Sequence, residues 1–304
     1  MRVFVIGAEG QIARSLREAA AGAPDVVLGI GARPEVDLIR PETLPPALEA
    51  FAPDVVVNPA AYTAVDQAER EPELAFAVNR DGVAAAAQAA ARVGAPIVHL
   101  STDYVFNGAK SGPYLETDPP NPLGVYGRSK LEGERAVAAS GARCVILRTS
   151  WVYAPFGANF VRTMLRLADE RDRLRVVDDQ IGCPTYAPDL ADAILAIARR
   201  LVAGGWRDEY AGLTHIAGPD ALSWCGFAKR IVEGAAARGG RSVEVEAITT
   251  ADYPTAARRP ANSRLSCERL ARVFDLRLPP LQTSLDACLD RLCAPADQAR
   301  ESAA

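Results

Sequence analysis

Lysine is nearly missing from this chain: of 34 basic residues only Lys110, Lys130 and Lys229 are lysines, and the rest are arginine. Histidine is as scarce, with His99 and His215 far apart, and the six cysteines (Cys144, Cys183, Cys225, Cys267, Cys288, Cys293) form no C-x-x-C pair. So few imidazoles and such scattered thiols speak against a zinc ribbon or a disulfide framework, and favour reduced thiols. There is no block of like charge, and a net charge of -4 leaves no basic footprint for nucleic acid. No apolar run approaches the roughly 20 residues of a membrane span. The apolar start MRVFVIG is too short for a signal-peptide core and meets Gly7, Glu9 and Gly10 at once. A cytoplasmic protein is therefore expected. With no coiled-coil heptad, monomer and weak homodimer both stay open.

What is present is a regular alternation. Short Val/Ile-rich runs, VFVIG (3–7), VVLGI (26–30), DVVVN (54–58), PIVHLST (96–102) and CVILRTS (144–150), read as strands buried on both faces. Between them QIARSLREAA, LPPALEAF, the Ala-rich ELAFAVNRDGVAAAAQAAARVG and SKLEGERAVAAS read as helices. This predicts an α/β fold with a doubly wound parallel sheet over 1–150, to which 187–218 returns. A smaller mixed lobe is expected over 151–186 and most of 219–304, with the final PADQARESAA free to fray.

Two turns carry chemistry. GAEGQIA (7–13) follows the first strand and opens the first helix, where backbone N–H groups and the positive helix end can hold a dinucleotide's pyrophosphate. At the end of the second strand LGIGARPEVD has glycines where an acid for a ribose 2′-hydroxyl would stand, and Arg33 just beyond. An arginine there suits a 2′-phosphate and favours NADPH. Asp37 is close enough to serve an adenosine hydroxyl instead, which keeps NADH open.

In VYGRSK, Tyr126 and Lys130 stand at i and i+4 on one helix face. STDYVF closes a buried strand and puts Thr102 at the sheet's carboxyl edge, where open α/β folds bind ligands. Reducing a ketone takes a hydride and a proton, and a phenol of ordinary pKa near 10 gives up its proton poorly at neutral pH. An ammonium beside it would lower that pKa, and a hydroxyl would hold the substrate oxygen. The roles expected are Tyr126 as acid, Lys130 as its tuner and Thr102 as orienter.

These residues resemble the extended, sugar-nucleotide branch of the short-chain dehydrogenase/reductases. More narrowly, STDYVFNG, PYLETDPPNPLGVYGRSKLEGE, LRTSWVYAPFGANFVRTML, DDQIGCPTYAPDLA and PTAARRPANSRLS resemble the dTDP-4-dehydrorhamnose reductase family from residue 1 to about 293. The resemblance implies a Rossmann-type cofactor domain with a small substrate domain, and NADPH-dependent reduction of the C4 keto group of dTDP-4-dehydro-L-rhamnose. It implies cofactor contacts at Gly7, Gly10, Gln11, Ile12, Asp37, Leu38, Ala61, Tyr62 and Thr63, beside Tyr126 and Lys130. Thr102, Asp103, Tyr104 and Trp151 would face the sugar, and Arg259 or Arg264 would clamp the diphosphate. Some relatives hold magnesium at a dimer contact through glutamates; Ser15 and Pro188 stand at two of those positions, so no metal site is expected here. Two neighbouring readings stay open: a 4-ketoreductase for another dTDP-deoxysugar, and a non-catalytic NADP-binding regulatory subunit, which binds with the same fold.

Overall fold

The computed structural model describes residues 1–293; the terminal stretch expected to fray lies outside them. Five strands open the chain in alternation with helices: β1 (Arg2–Ile6), β2 (Val27–Gly31), β3 (Val55–Asn58), β4 (Ile97–Thr102) and β5 (Cys144–Thr149). Four shorter or later strands follow, β6 (Val152–Tyr153), β7 (Arg173–Val177), β8 (Ile181–Gly182) and β9 (Thr185–Tyr186), and then β10 (Gly212–His215), β11 (Leu222–Ser223) and β12 (Glu244–Ile248). The large sheet is parallel throughout, in the order β10-β5-β4-β3-β1-β2.

Strand alternation divides the core between the two faces of this sheet. Val3, Val5, Val57, Leu100 and Leu147 turn toward the helices Gln11–Ala21 and Ala187–Ala203. Phe4, Ile6, Val56, Ile97 and Ile146 turn the other way, onto Leu44, Leu48 and the alanines of Val83–Arg92. The five strands expected from the sequence are all present, and the fold is the Rossmann-type parallel sheet.

Chain order reverses between β1 and β3, the switch point at which doubly wound sheets leave a crevice beyond the carboxyl ends. β2 runs to one side of it, and β4 and β5 to the other. The register Thr102↔Thr149 ends both of the latter strands at one level.

Past β5 the chain enters a second core of Tyr153, Val161, Met164, Leu174, Phe227, Ile231 and Leu285. It leaves again through the helix Ala187–Ala203 and β10, both on the large sheet, and returns at β11. One stretch departs from the expected division. The helix Glu268–Phe274, inside 219–304, packs Leu270 and Phe274 into the core of the large sheet.

The Ala-rich segment read as one helix also differs. It is interrupted by a π-helical turn, Ala77–Gly82, between Pro72–Phe76 and Val83–Arg92. Such turns cluster at functional sites. The interruption places Asn79, fully buried, to bond both the N–H (2.8 Å) and the carbonyl (3.0 Å) of Tyr62.

Candidate active site

A cavity of about 890 Å³ occupies the crevice at the switch point, and Gly7, Thr102, Tyr126, Trp151 and Val152 are among the residues that line it. Each wall follows from the turn that makes it. Gly7 has φ of +101°, a left-handed region closed to most side chains, and a Cβ there would lie 3.2 Å from that of Ala60. Gly10 caps the helix Gln11–Ala21 without a side-chain partner and with no acid in the first turn. The first N–H groups of that helix are thus free for an anion, and the helix dipole adds to the attraction.

Every residue expected to touch a cofactor lines this cavity: Gly7, Gly10, Gln11, Ile12, Arg33, Asp37, Leu38, Ala61, Tyr62, Thr63, Tyr126 and Lys130. Arg33 is exposed and forms no ion pair with the described residues. The Asp37 carboxylate is engaged in its own turn instead: Oδ1 accepts the Ile39 N–H at 3.0 Å, and Oδ2 lies 3.8 Å from Arg40 Nε. A 2′-phosphate would therefore find an uncommitted guanidinium, and a 2′-hydroxyl only a carboxylate already in use.

Thr102, Asp103, Tyr104, Tyr126, Lys130 and Trp151 line the same cavity. The helix Val125–Ala139 carries Tyr126 and Lys130, and its first N–H, from Val125, is capped across space by Glu69 Oε1 at 2.7 Å. Asn79 Nδ2 bonds Ser129 Oγ (2.9 Å), which donates to the Tyr126 carbonyl (2.8 Å). The π-helical turn thereby ties the Tyr62 loop to the turn that holds the phenol.

Burial governs the electrostatics. It pushes the Tyr126 phenol up to about 12, with Asp103 adding to the shift and hydrogen bonding with Thr102 opposing it. Lys130 Nζ is turned onto the Leu100 carbonyl at 2.6 Å, and burial brings its amine down to about 8 against the pull of Glu134. The expectation that Lys130 lowers the phenol is not met in this arrangement, because the ammonium is bonded elsewhere and desolvation is the larger effect. Asp103, 3% exposed, is raised by burial to about 6, and its Oδ2 has no partner among the described residues. Thr102 Oγ1 donates to Asp103 Oδ1 and accepts from the Tyr104 N–H, both at 3.2 Å.

Trp151 is a bulky residue at φ of 48°, a strained conformation held by its surroundings. Its indole stacks on Trp224 with centroids 3.4 Å apart and 7° between planes, and Gly182 lies so close that a Cβ there would meet the ring at 2.3 Å. The two arginines fall outside the cavity lining. Arg259 pairs with Asp66 at 2.8 Å, and Arg264 bonds Asn262 Oδ1 at 2.8 Å and the Ser111 carbonyl at 2.5 Å. Sequence reasoning passed over Asn79, Glu134, Arg148 and Trp224. For Arg148 a signal was there, since a guanidinium inside the apolar run CVILRTS demands a partner.

Ser15 is buried with its hydroxyl on the Gln11 carbonyl, Pro188 is the second residue of the helix Ala187–Ala203, and no metal-holding cluster of His, Cys, Asp or Glu occurs among the described residues. None of the described helices is long and apolar enough to cross a membrane.

The family model described as RmlD substrate binding domain matches residues 1–294. The chain is 52% identical over 284 residues to a dTDP-4-dehydrorhamnose reductase of Sinorhizobium fredii, covering 93% of this chain and 95% of that protein. It is 45% identical over 297 residues to one of Burkholderia thailandensis, covering 95% and 98%. Among solved structures, that of dTDP-4-dehydrorhamnose reductase from Bacillus anthracis in complex with NADP superposes with a TM-score of 0.86 at 34% identity, covering 94% of this chain and 97% of the other.

Proposed function

The chain belongs to the dTDP-4-dehydrorhamnose reductase family, and from that premise we propose that it uses NADPH to reduce the C4 keto group of dTDP-4-dehydro-L-rhamnose, yielding dTDP-L-rhamnose for nucleotide-sugar biosynthesis. The observation that carries the reading is the convergence of Thr102, Tyr126 and Lys130 on the cavity that the Gly7 turn opens. The dinucleotide fits the donor set: uncapped N–H groups at Gln11–Ala13 for the pyrophosphate, and Arg33 for the 2′-phosphate. Bound NADPH supplies the hydride.

The chain's own residues do the rest. The keto oxygen gains charge as the carbon is reduced, and Tyr126 Oη donates a proton to it. A phenol near 12 is fully protonated at neutral pH, and a nascent alkoxide is basic enough to take its proton. Thr102 Oγ1 orients the oxygen. Lys130 rests on the Leu100 carbonyl beside a neutral phenol; once Tyr126 has given up its proton the ammonium is drawn to the phenolate and offsets its charge, so activity is expected to fall as pH rises through about 8, where Lys130 loses its proton. Asp103 Oδ2 offers an acceptor to a sugar hydroxyl, and the Trp151 indole an apolar plate for the ring.

Of the two arginines, Arg259 is the better diphosphate contact. It can exchange the half-exposed Asp66 for a phosphate, whereas Arg264 anchors the 111–114 loop. Four of the six free cysteines are buried, which suits a reducing cytoplasm. Without carboxylates at Ser15 and Pro188, a monomer or a weak homodimer is the reading; sedimentation at several concentrations checks it.

The deciding experiment follows oxidation of NADPH and of NADH with enzymatically made dTDP-4-dehydro-L-rhamnose and identifies the product. Cofactor binding without turnover would move the reading to another keto-sugar or to a binding subunit. Arg33→Ala is expected to lower kcat/KM for NADPH about tenfold and leave that for NADH unchanged, since one charge-assisted contact is lost. An equal fall for both cofactors would detach Arg33 from the 2′-phosphate. Gly182→Ala should drive the Trp151 indole toward the sugar and raise KM for the sugar nucleotide about tenfold. Fluorescence titration should show NADPH affinity unmoved, and a loss there would mean general disruption instead.

A further inference from the structure

The helix Val125–Ala139 grips β4 at two successive turns. From the first, Lys130 Nζ donates to the Leu100 carbonyl at 2.6 Å. From the second, Glu134 Oε1 accepts from Ser101 Oγ at 2.5 Å, while Arg148 of β5 donates Nε to Oε1 at 2.8 Å and Nη2 to Oε2 at 2.6 Å. Residues 100, 101 and 102 thus serve in order as the acceptor for Lys130, the donor to Glu134 and the proposed orienter of the keto oxygen.

This ion pair is deeply buried, its side chains 2% exposed for Arg148 and 5% for Glu134. Burying two charges costs several kcal/mol each, and apolar residues of similar volume often hold a core as well or better. Stability is thus a weak account of the pair. Its position says more: it sets a fixed negative charge one helical turn from an ammonium that is itself 2% exposed.

We propose that Glu134, clamped by Arg148 and Ser101, is a positioning residue for the reduction: its carboxylate is the counter-charge that keeps Lys130 an ammonium and holds it level with Thr102. The other groups facing Lys130 do not supply that charge. His99 of β4 is neutral, held well below its usual range by burial and by Lys130 itself. Arg148 of β5 is spent on Glu134 itself, and Tyr126 on the same helix is a neutral phenol. Asp103, raised by burial only to about 6, is still a carboxylate where Lys130 titrates, but it is Glu134 and not Asp103 whose charge acts on the Lys130 amine. Burial drives the Lys130 amine down, and Glu134 is the charge that opposes it.

The proposal rests on the reductase reading for its consequence, but its test does not. With only three lysines, the protein labelled with ¹³C at lysine Cε gives three signals, assignable with Lys110→Arg and Lys229→Arg. Titrating them by NMR reads the Lys130 midpoint without substrate. Glu134→Gln strands Arg148 unpaired and can fail to fold, so the main variant is Glu134→Leu with Arg148→Met, which removes both members of the ion pair and leaves only Lys130 without its counter-charge.

In the double variant the Lys130 midpoint is expected to drop by at least about one pH unit, with the other two lysines unmoved. The alkaline limb of kcat should move down with it while NADPH affinity holds. An unshifted midpoint in a folded double variant overturns the proposal. So does failure of that variant to fold, since the pair would then be holding the core. Inactivity of the parent toward the keto-sugar would refute the reductase reading while leaving the midpoint shift standing.

Discussion

Tyr126→Phe is expected to lower turnover at least about 100-fold, the loss that follows when a positioned proton donor is removed from a carbonyl reduction. The substitution deletes one oxygen and keeps the ring. That ring stays packed edge-on against Tyr104, with centroids 5.5 Å apart, and the ring is 9% exposed, so the fold has no reason to change. The hydroxyl acts only as the keto oxygen gains charge. Removing it should therefore lower kcat and kcat/KM together and leave NADPH affinity within about twofold. Stopped-flow turnover beside a fluorescence titration of the cofactor separates the two. Activity equal to the parent's would remove Tyr126 from the reaction and leave the cavity as a binding site.

Gly133→Ala should be the most damaging single change to stability, at about 3 kcal/mol or more. Gly133 lies on the catalytic helix where the π-helical turn crosses it, and a Cβ there would come within 2.0 Å of the Asn79 carbonyl oxygen. Backbone stands on both sides of that contact, so no side chain can swing clear. The helix has to move, and with it the Asn79–Ser129–Tyr126 chain. Denaturant unfolding measures the loss. Gly112→Ala, where a Cβ would meet nothing within 4 Å, should stay within about 0.5 kcal/mol of the parent. Similar stabilities for the two variants would mean that the crossing can relax.

The parallel sheet was legible because burial on both faces forces continuous Val/Ile runs, and each expected strand appears within a residue or two of its place. The cavity lining was legible for a related reason. Gly7 follows β1 and Thr102 ends β4, and strand ends in a doubly wound sheet meet at one edge. The π-helical turn was not legible, since alanine propensity gives no hint that Asn79 will spend its side chain on Tyr62, 17 residues away. The partner of Arg148 and the resting place of the Lys130 amine depend on helix–strand packing, which local sequence does not encode. The phenol's pKa failed similarly: spacing puts a lysine near a tyrosine, but burial decides which effect is larger.

The path of the chain between its two cores constrains how such a protein can diverge. The polypeptide leaves the large sheet after β5, comes back for the helix Ala187–Ala203 and β10, leaves again, and returns once more at Glu268–Phe274. Neither core is the property of one continuous segment. Modular exchange, in which one sugar-recognising half is swapped for another by a single crossover, is closed to this architecture. A new substrate preference has to be acquired substitution by substitution, at positions such as Trp151 and Gly182 where one methyl group reshapes the wall.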